Sequence, residues 1–359
     1  MTNSKAHQQA WGFTLALTPM VLMWIDFQLP FAFLLLTLFF VVLPTVRIVL
    51  PIDYKPLGLN ASLSKPLEIV LIGLPLVFSV LWIGSMLVMP AMTPLVRSNG
   101  ISTVLVFLSV WVASSLTLPC LHELIHRRNS WHVFVGRILG ALGGIFYFVE
   151  EHKNHHILSG GGQDYDAALE HENVYQHALA AQAHGFKLAC EWELAAQVRG
   201  NRSAYSNRIF WTGMITLFML AWFTFWQGLA GFVFYVLLVV STNFTLRAIT
   251  YIQHWGLRTV PLSKGDVAVS WVSNCIFQSW IIFNLALHND HHQHINRPYY
   301  ALRSSPEQLT LPVTYPIAFL LSLVPFYYRK VMGKRLNSWL ELHDKGTKPN
   351  QRESCLNLR

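Results

Sequence analysis

Charge is what this sequence has least of. Asp, Glu, Lys and Arg make up only 12% of its 359 residues, about half the ~25% usual in soluble domains. Disordered tails and an ordinary water-facing surface are hard to build from so little charge. Cysteine is scarce as well. The four present, Cys120, Cys190, Cys275 and Cys355, lie far apart and none is spaced as C-x-x-C. That excludes a zinc ribbon, an iron–sulfur cluster made by this chain alone and a disulfide-stapled scaffold. The G-x-G-x-x-G fingerprint of a dinucleotide-binding fold is missing. The one low-complexity tract, Gly160-Gly161-Gly162, lacks the Lys-Ser/Thr pair and strand–helix frame of a phosphate-binding loop, and reads as a flexible loop. The first apolar run follows a single Lys and precedes no small-residue cleavage site, so it does not read as a cleavable signal peptide.

Apolar residues are abundant: 53% of the chain, with 13 Trp and 23 Phe. Crossing a bilayer takes about 20 consecutive apolar residues. Six runs qualify, at 11–29, 31–50, 67–89, 101–121, 209–226 and 229–249. The first two are joined at Pro30, and the last two turn at Gln227-Gly228. Asp26 alone interrupts the first run. Two further stretches read as partly immersed segments: 133–149, rich in glycine, and 311–328, which holds Pro312, Pro316 and Pro325. The net charge of +8 is one-sided. With the N-terminus inside, Arg97 is the only Lys or Arg clearly assigned outside, which is the positive-inside pattern. The basic excess is therefore a cytosolic rim rather than a nucleic-acid footprint, and it also suits an acidic soluble partner. The expected fold is an all-α membrane protein forming a single domain over 1–359. It has about six transmembrane helices and a cytosolic helical cap over 122–208 and 250–310, with a cytosolic or interfacial tail at 311–359.

Histidine is the unusual residue: the chain has 16, against 18 Asp and Glu together. Nine fall just beyond predicted spans, all on the inner side. His122 and His126 frame His-Glu-Leu-Ile-His. His152, His155 and His156 belong to His-Lys-Asn-His-His. His254 stands alone in Tyr-Ile-Gln-His-Trp-Gly. His288, His291 and His292 belong to His-Asn-Asp-His-His. On a helix, residues i, i+3 and i+4 share a face, so each cluster presents its imidazoles together. One tetrahedral zinc cannot use nine nitrogens, whereas two metals can, and imidazole-rich sites suit Fe, Zn, Cu or Ni. A dinuclear iron site for oxygen chemistry at the membrane edge is the most economical reading. The isolated His7, His171, His177, His184 and His343 read as surface or hydrogen-bonded residues, and His132 and His294 as closer cases.

Two other readings fit less. His122 to His126 is also the H-E-x-x-H helix of zinc metalloproteases, with Glu123 as general base, but it leaves seven clustered histidines idle. A transporter with histidine proton relays would place its polar groups at the bilayer midplane, not past the ends of the spans.

Taken together, HELIH, HKNHH, YIQHWGL and HNDHH followed by INRPYYALRSSPE resemble the integral-membrane non-haem di-iron hydroxylases. This is the alkane 1-monooxygenase and xylene monooxygenase group of the fatty acid desaturase-like superfamily. The likeness covers about 100–310. It implies that His122, His126, His152, His155, His156, His254, His288, His291 and His292 ligate two iron ions, with O2 as co-substrate. The isolated element around His254 favours the hydroxylase branch over ordinary desaturases. The second box, H-x-x-HH, departs from the H-x-x-x-HH usual in alkane hydroxylases, which leans the expected substrate toward an alkyl-aromatic or other compact apolar molecule. Metal-bound histidines give their second N–H to a carboxylate or carbonyl. Glu123, Glu150, Glu151, Asp164, Asp166 and Asp290 are candidates for that role, and Glu123, Glu151 and Asp290 are preferred because they lie in or beside the boxes. Oxygen activation consumes two electrons. With no redox motif in the chain, the resemblance implies a rubredoxin or a ferredoxin-type NADH reductase, and the basic cytosolic face of Arg127, Arg128, Arg329, Lys330, Lys334 and Arg335 is the candidate docking surface. The expected enzyme hydroxylates a methyl or alkyl C–H in the bacterial inner membrane, with its histidines on the cytosolic side. A fatty acid desaturase with the same ligands is the alternative.

Overall fold

A computed structural model of the chain describes residues 3–50, 53–54, 63–158, 165–257, 270–304 and 308–343. Among these the fold is all helical; the only β pairing is two isolated bridges, Asp53 with Cys275 and Val272 with Thr310. Four helical stretches are long and apolar enough to cross a membrane: α1 His7–Gln28, α3 Lys65–Met92, α4 Gly100–Ile125 and α8 Arg208–His254. Between the first two lies α2, Leu34–Val49, which is apolar but shorter. Among the described residues, length and hydropathy thus give four candidate spans, one of them doubled back. These helices make the protein an integral membrane protein.

Residue chemistry sets the boundaries. Four helices begin at an asparagine whose side chain accepts a backbone N–H of the first turn: Asn99 before α4, Asn129 before α5 (Ser130–Leu142), Asn173 before α7 (Val174–Arg199) and Asn207 before α8. Asparagine is among the best residues there because it satisfies an orphan donor. Asp26, expected only as an interruption, has a positive task. Its carboxylate accepts the N–H groups of Leu34 and Leu35 at 2.9 and 3.1 Å and the Ser109 hydroxyl at 2.8 Å. A carboxylate on the free N–H groups that open a helix is favourable. Here it ties α1, α2 and α4 together.

The two apolar stretches at 133–149 and 311–328 are not single segments. The first is split by a turn: α5 ends at Leu142, and α6 (Phe148–Leu158) begins after Gly143–Tyr147, with Arg137 and Glu150 forming an ion pair across the break. The second holds two helices, α11 (Tyr315–Ser322) and α12 (Pro325–His343). Pro316 and Pro325 open these helices rather than break one, because proline lacks an N–H that the first turn does not use. Between α8 and α11 lie two short helices, α9 (Ile276–Ile281) and α10 (His288–Gln293).

α8 is two helices in one. At Gly228 the backbone takes φ 60°, ψ −143°, and the chain reverses. The rings of Phe223 and Tyr235 lie 5.2 Å apart, although twelve helical steps along the chain would separate them by ~18 Å in a straight helix. The returning arm of this hairpin delivers His254 as its last residue. Only glycine adopts such a backbone without cost. Gly228→Ala, with open space around its Cβ, should therefore lose about 1–3 kcal/mol of stability. Thermal unfolding in detergent measures this, and a variant as stable as the parent would contradict the turn's role.

Candidate metal centre

The nine clustered histidines come from four helices that meet at one end of the bundle. α4 carries His122 in its last turn, with His126 capping it. α6 carries His152, His155 and His156, α8 ends on His254, and α10 carries His288, His291 and His292. They converge as two groups. One is His122, His126, His152, His156 and His291; the other is His155, His254, His288 and His292. Within each group the candidate ligand nitrogens all lie within 4.8 Å of one another.

Helix geometry explains the partition. Pairs spaced i, i+4 stay together: His122 with His126, His152 with His156, and His288 with His292. The adjacent residue in each His-His pair is rotated by about 100°. His155 therefore leaves its own helix's pair for the second group, and His291 leaves its pair for the first. Each cluster was expected to present a single face; instead α6 and α10 each serve both groups.

The nitrogens are spaced as a shared ion requires. In the first group, His126 Nε2 is 3.0 Å from His152 Nε2 and 3.1 Å from His156 Nε2. His152 and His156 are 2.9 Å apart, and His156 and His291 3.2 Å. In the second, His292 Nε2 lies 3.2 Å from that of His155 and 2.9 Å from that of His288. A typical imidazole–metal bond of ~2.1 Å puts two ligands at right angles ~3 Å apart. A neutral imidazole has one N–H and one lone pair. With several Nε2 atoms facing inward, lone pairs oppose one another unless a cation sits between them. His122 Nε2 is buried with no hydrogen-bond partner among the described residues, as a nitrogen reserved for a metal would be. Burial, and after it the neighbouring imidazoles, hold His152, His288, His291 and His292 well below the usual histidine pKa, and push His156 down to about 2. The unprotonated form that binds metal is the one the site favours. The residues therefore fit two metal ions.

The carboxylates stand one layer out, each engaged by arginine. Glu123 Oε1 pairs with Arg127 at 2.5 Å, so that cation is not free for docking. Both carboxylate oxygens of Asp290 accept from Arg297 Nη1 at 2.6 Å; the Arg303 N–H donates at 2.9 Å and His294 Nδ1 lies 3.2 Å away. Glu151 pairs with Arg247 at 2.6 Å. Asp166, a weaker sequence candidate, faces His155 Nδ1 at 3.5 Å. Asp164 and Gly160-Gly161-Gly162 lie outside the described residues. Arg247 went unnoticed in the sequence, although a lone arginine inside the apolar run 229–249 is itself a signal of function. Of the isolated histidines, His177 Nε2 lies 3.3 Å from the Thr250 hydroxyl and His7 Nε2 accepts the Ser64 N–H.

An apolar cavity of about 140 Å³ runs beside the histidines. Its wall includes His122, His152, His155 and His288, and also Phe39, Phe40 and Leu43 of α2. Val41 and Val42, next along α2, face outward and are exposed. α2 is π-helical over Leu38–Val42, a local widening often found at functional sites. No substrate-contact residue was legible beforehand, because the lining comes from separate parts of the chain.

A family model described as fatty acid desaturase matches residues 99–305, which span all four histidine elements. The chain belongs to this family. Among curated proteins, the alkane 1-monooxygenase of Pseudomonas putida is 28% identical over 228 residues, covering 61% of this chain and 56% of the relative. Alkane 1-monooxygenase 2 of Alcanivorax borkumensis is 30% identical over 231 residues, covering 61% and 60%. A shorter match, 33% identical over 93 residues, joins 24% of this chain to 23% of the alkane 1-monooxygenase of Acinetobacter baylyi. The chain thus spans less than two thirds of the length of these relatives.

The depressed histidines make the metal-free protein acid-sensitive. Unfolded histidine binds a proton below about 6.5, while the folded, buried imidazoles do not. Stability is then full above that pH and falls as pH drops below it, by about 1.4 kcal/mol per pH unit for each such group. Chelator-treated protein should show a melting temperature that declines steeply from pH 7 to pH 5. A flat profile would mean that the imidazoles are not held neutral.

Proposed function

We propose that this chain is a membrane-bound di-iron monooxygenase that hydroxylates an unactivated methyl or alkyl C–H of an apolar substrate. The observation that carries the reading is the pair of histidine groups, five nitrogens and four, at the wall of an apolar cavity. The nine histidines would hold the two ions, one per group. When bound, two reducible irons supply the activation of O2 and the attack on the C–H bond, chemistry that belongs to the cofactor. The first group offers one more imidazole than the second. The balance is R–H plus O2, two electrons and two protons, giving R–OH and water.

The chain's own residues do the rest. Lipid-dissolved substrate reaches the cavity past α2, whose outer side is apolar. Trp111, Phe148 and Phe319 line the cavity; they orient the substrate and exclude water, while Trp111 is fixed by donating to Thr245 Oγ1 at 2.9 Å. The cavity is close to the ~150 Å³ engineered cavity that accepts one benzene, which supports a compact alkyl or alkyl-aromatic molecule over a long chain. The relatives' name, alkane 1-monooxygenase, supports attack at a methyl carbon.

Electrons come from a separate rubredoxin or ferredoxin-type reductase. α12 offers Arg329, Lys330, Lys334 and Arg335, all exposed, to an acidic donor. The Lys and Arg distribution supports a cytosolic position for the N-terminus and the histidines, in the bacterial inner membrane.

Cells expressing the chain with a generic reductase, supplied with isotope-labelled O2 and a panel of alkanes, alkyl-aromatics and fatty acids, test the reaction. The expected product carries one labelled oxygen on a methyl carbon. An unlabelled olefin would replace hydroxylation by desaturation.

A further inference from the structure

Arg247 is the one buried arginine or lysine among the described residues, only 1% exposed. It lies in α8 two turns before His254. Its guanidinium spends its donors on four partners. Nη1 donates to Glu151 Oε1 at 2.6 Å and Asp166 Oδ1 at 3.1 Å, Nη2 to the Tyr147 hydroxyl at 3.1 Å, and Nε to Gln182 Oε1 at 3.1 Å. Glu151 also accepts from the Tyr165 hydroxyl at 3.1 Å. These partners sit on separate pieces of the cap. Glu151 precedes His152 in α6, Asp166 follows that helix, and Gln182 belongs to α7. An ionisable group inside a span is costly to keep, so this lattice has a purpose beyond filling space.

Its far side points at the metal groups. The second oxygen of Asp166 faces His155 Nδ1 at 3.5 Å, and His155 belongs to the four-histidine group. A carboxylate on Nδ1 fixes the ring so that Nε2 is the free ligand. Asp166 also lines the apolar cavity.

A glycine marks the same place. A Cβ on Gly185, inside α7, would lie 2.5 Å from Glu151 Oε1 and 2.8 Å from Arg247 Nη2. Glycine is a poor helix former. Its presence in mid-helix is accounted for by α7 pressing directly on the ion pair.

We propose that Arg247, Glu151 and Asp166 form a clamp that positions His155, so that the four-histidine subsite depends on the clamp and the five-histidine subsite does not. This rests on the two-metal reading above. Asp166 and Arg247 act through His155 and are positioning residues.

The test is iron content together with Mössbauer spectra of the full-length protein, loaded with isotopic ferrous iron and then washed with a weak chelator. The parent should retain two irons and show two spectral components. Asp166→Asn should weaken one subsite roughly 10–100-fold, so that one component is lost and the other keeps its parameters. Gly185→Ala should shift the same component, and Asp166→Glu should restore it in part. Both components unchanged in Asp166→Asn would overturn the clamp, as would loss of both together in all three variants, which would mark a general structural role. A parent that binds no iron would instead overturn the two-metal reading on which the clamp depends.

Discussion

Buried imidazole nitrogens that face one another at about 3 Å need something positive between them. Everything else in this protein serves to bring nine such nitrogens to one end of a helical bundle and keep them unprotonated. The long helices end where the histidines begin, so the bundle acts as a rigid frame. The cap helices α6 and α10 then turn adjacent histidines of one short sequence toward different centres. The i, i+4 pairs define the two groups, and the neighbouring His155 and His291 stitch them together.

The same geometry explains why the centre sits at the wall of a cavity and not in open solvent. His122, His152, His155 and His288 close one part of a space otherwise lined by aromatic and aliphatic side chains. That space extends to α2, the short helix whose N-terminus is anchored by Asp26. A carboxylate buried among apolar helices is tolerated because it satisfies two backbone N–H groups and a hydroxyl. The frame, the apolar access and the metal-binding wall are thus parts of one arrangement. The arginine lattice around Arg247 locks the cap onto the returning arm of α8.

Much of this was legible in the sequence because the relevant signals are local. Helical spacing within HELIH, HKNHH and HNDHH marks metal-binding faces without any knowledge of the fold, and Gln227-Gly228 marks a turn by residue type alone. The division of the histidines was not legible, because it depends on how α6 and α10 lie against α4. Arg247 pairs with Glu151 and Asp166, each more than eighty residues earlier, and no spacing rule links them. Asp26 read as a blemish in an apolar run until Leu34, Leu35 and Ser109 were found around it. The stretch 311–328, with Pro316 and Pro325, reads as one partly immersed segment, whereas these prolines lie in the first turns of two helices. Apart from the prolines, what escaped was contact between segments that no spacing rule links.

The central claim is that two histidine groups each hold one iron. Anomalous diffraction at the iron absorption edge, from crystals of the protein purified with its metal, tests it most directly. The account predicts two peaks, one among His122, His126, His152, His156 and His291 and one among His155, His254, His288 and His292. A single peak, or a signal that appears only at the zinc edge, would contradict it.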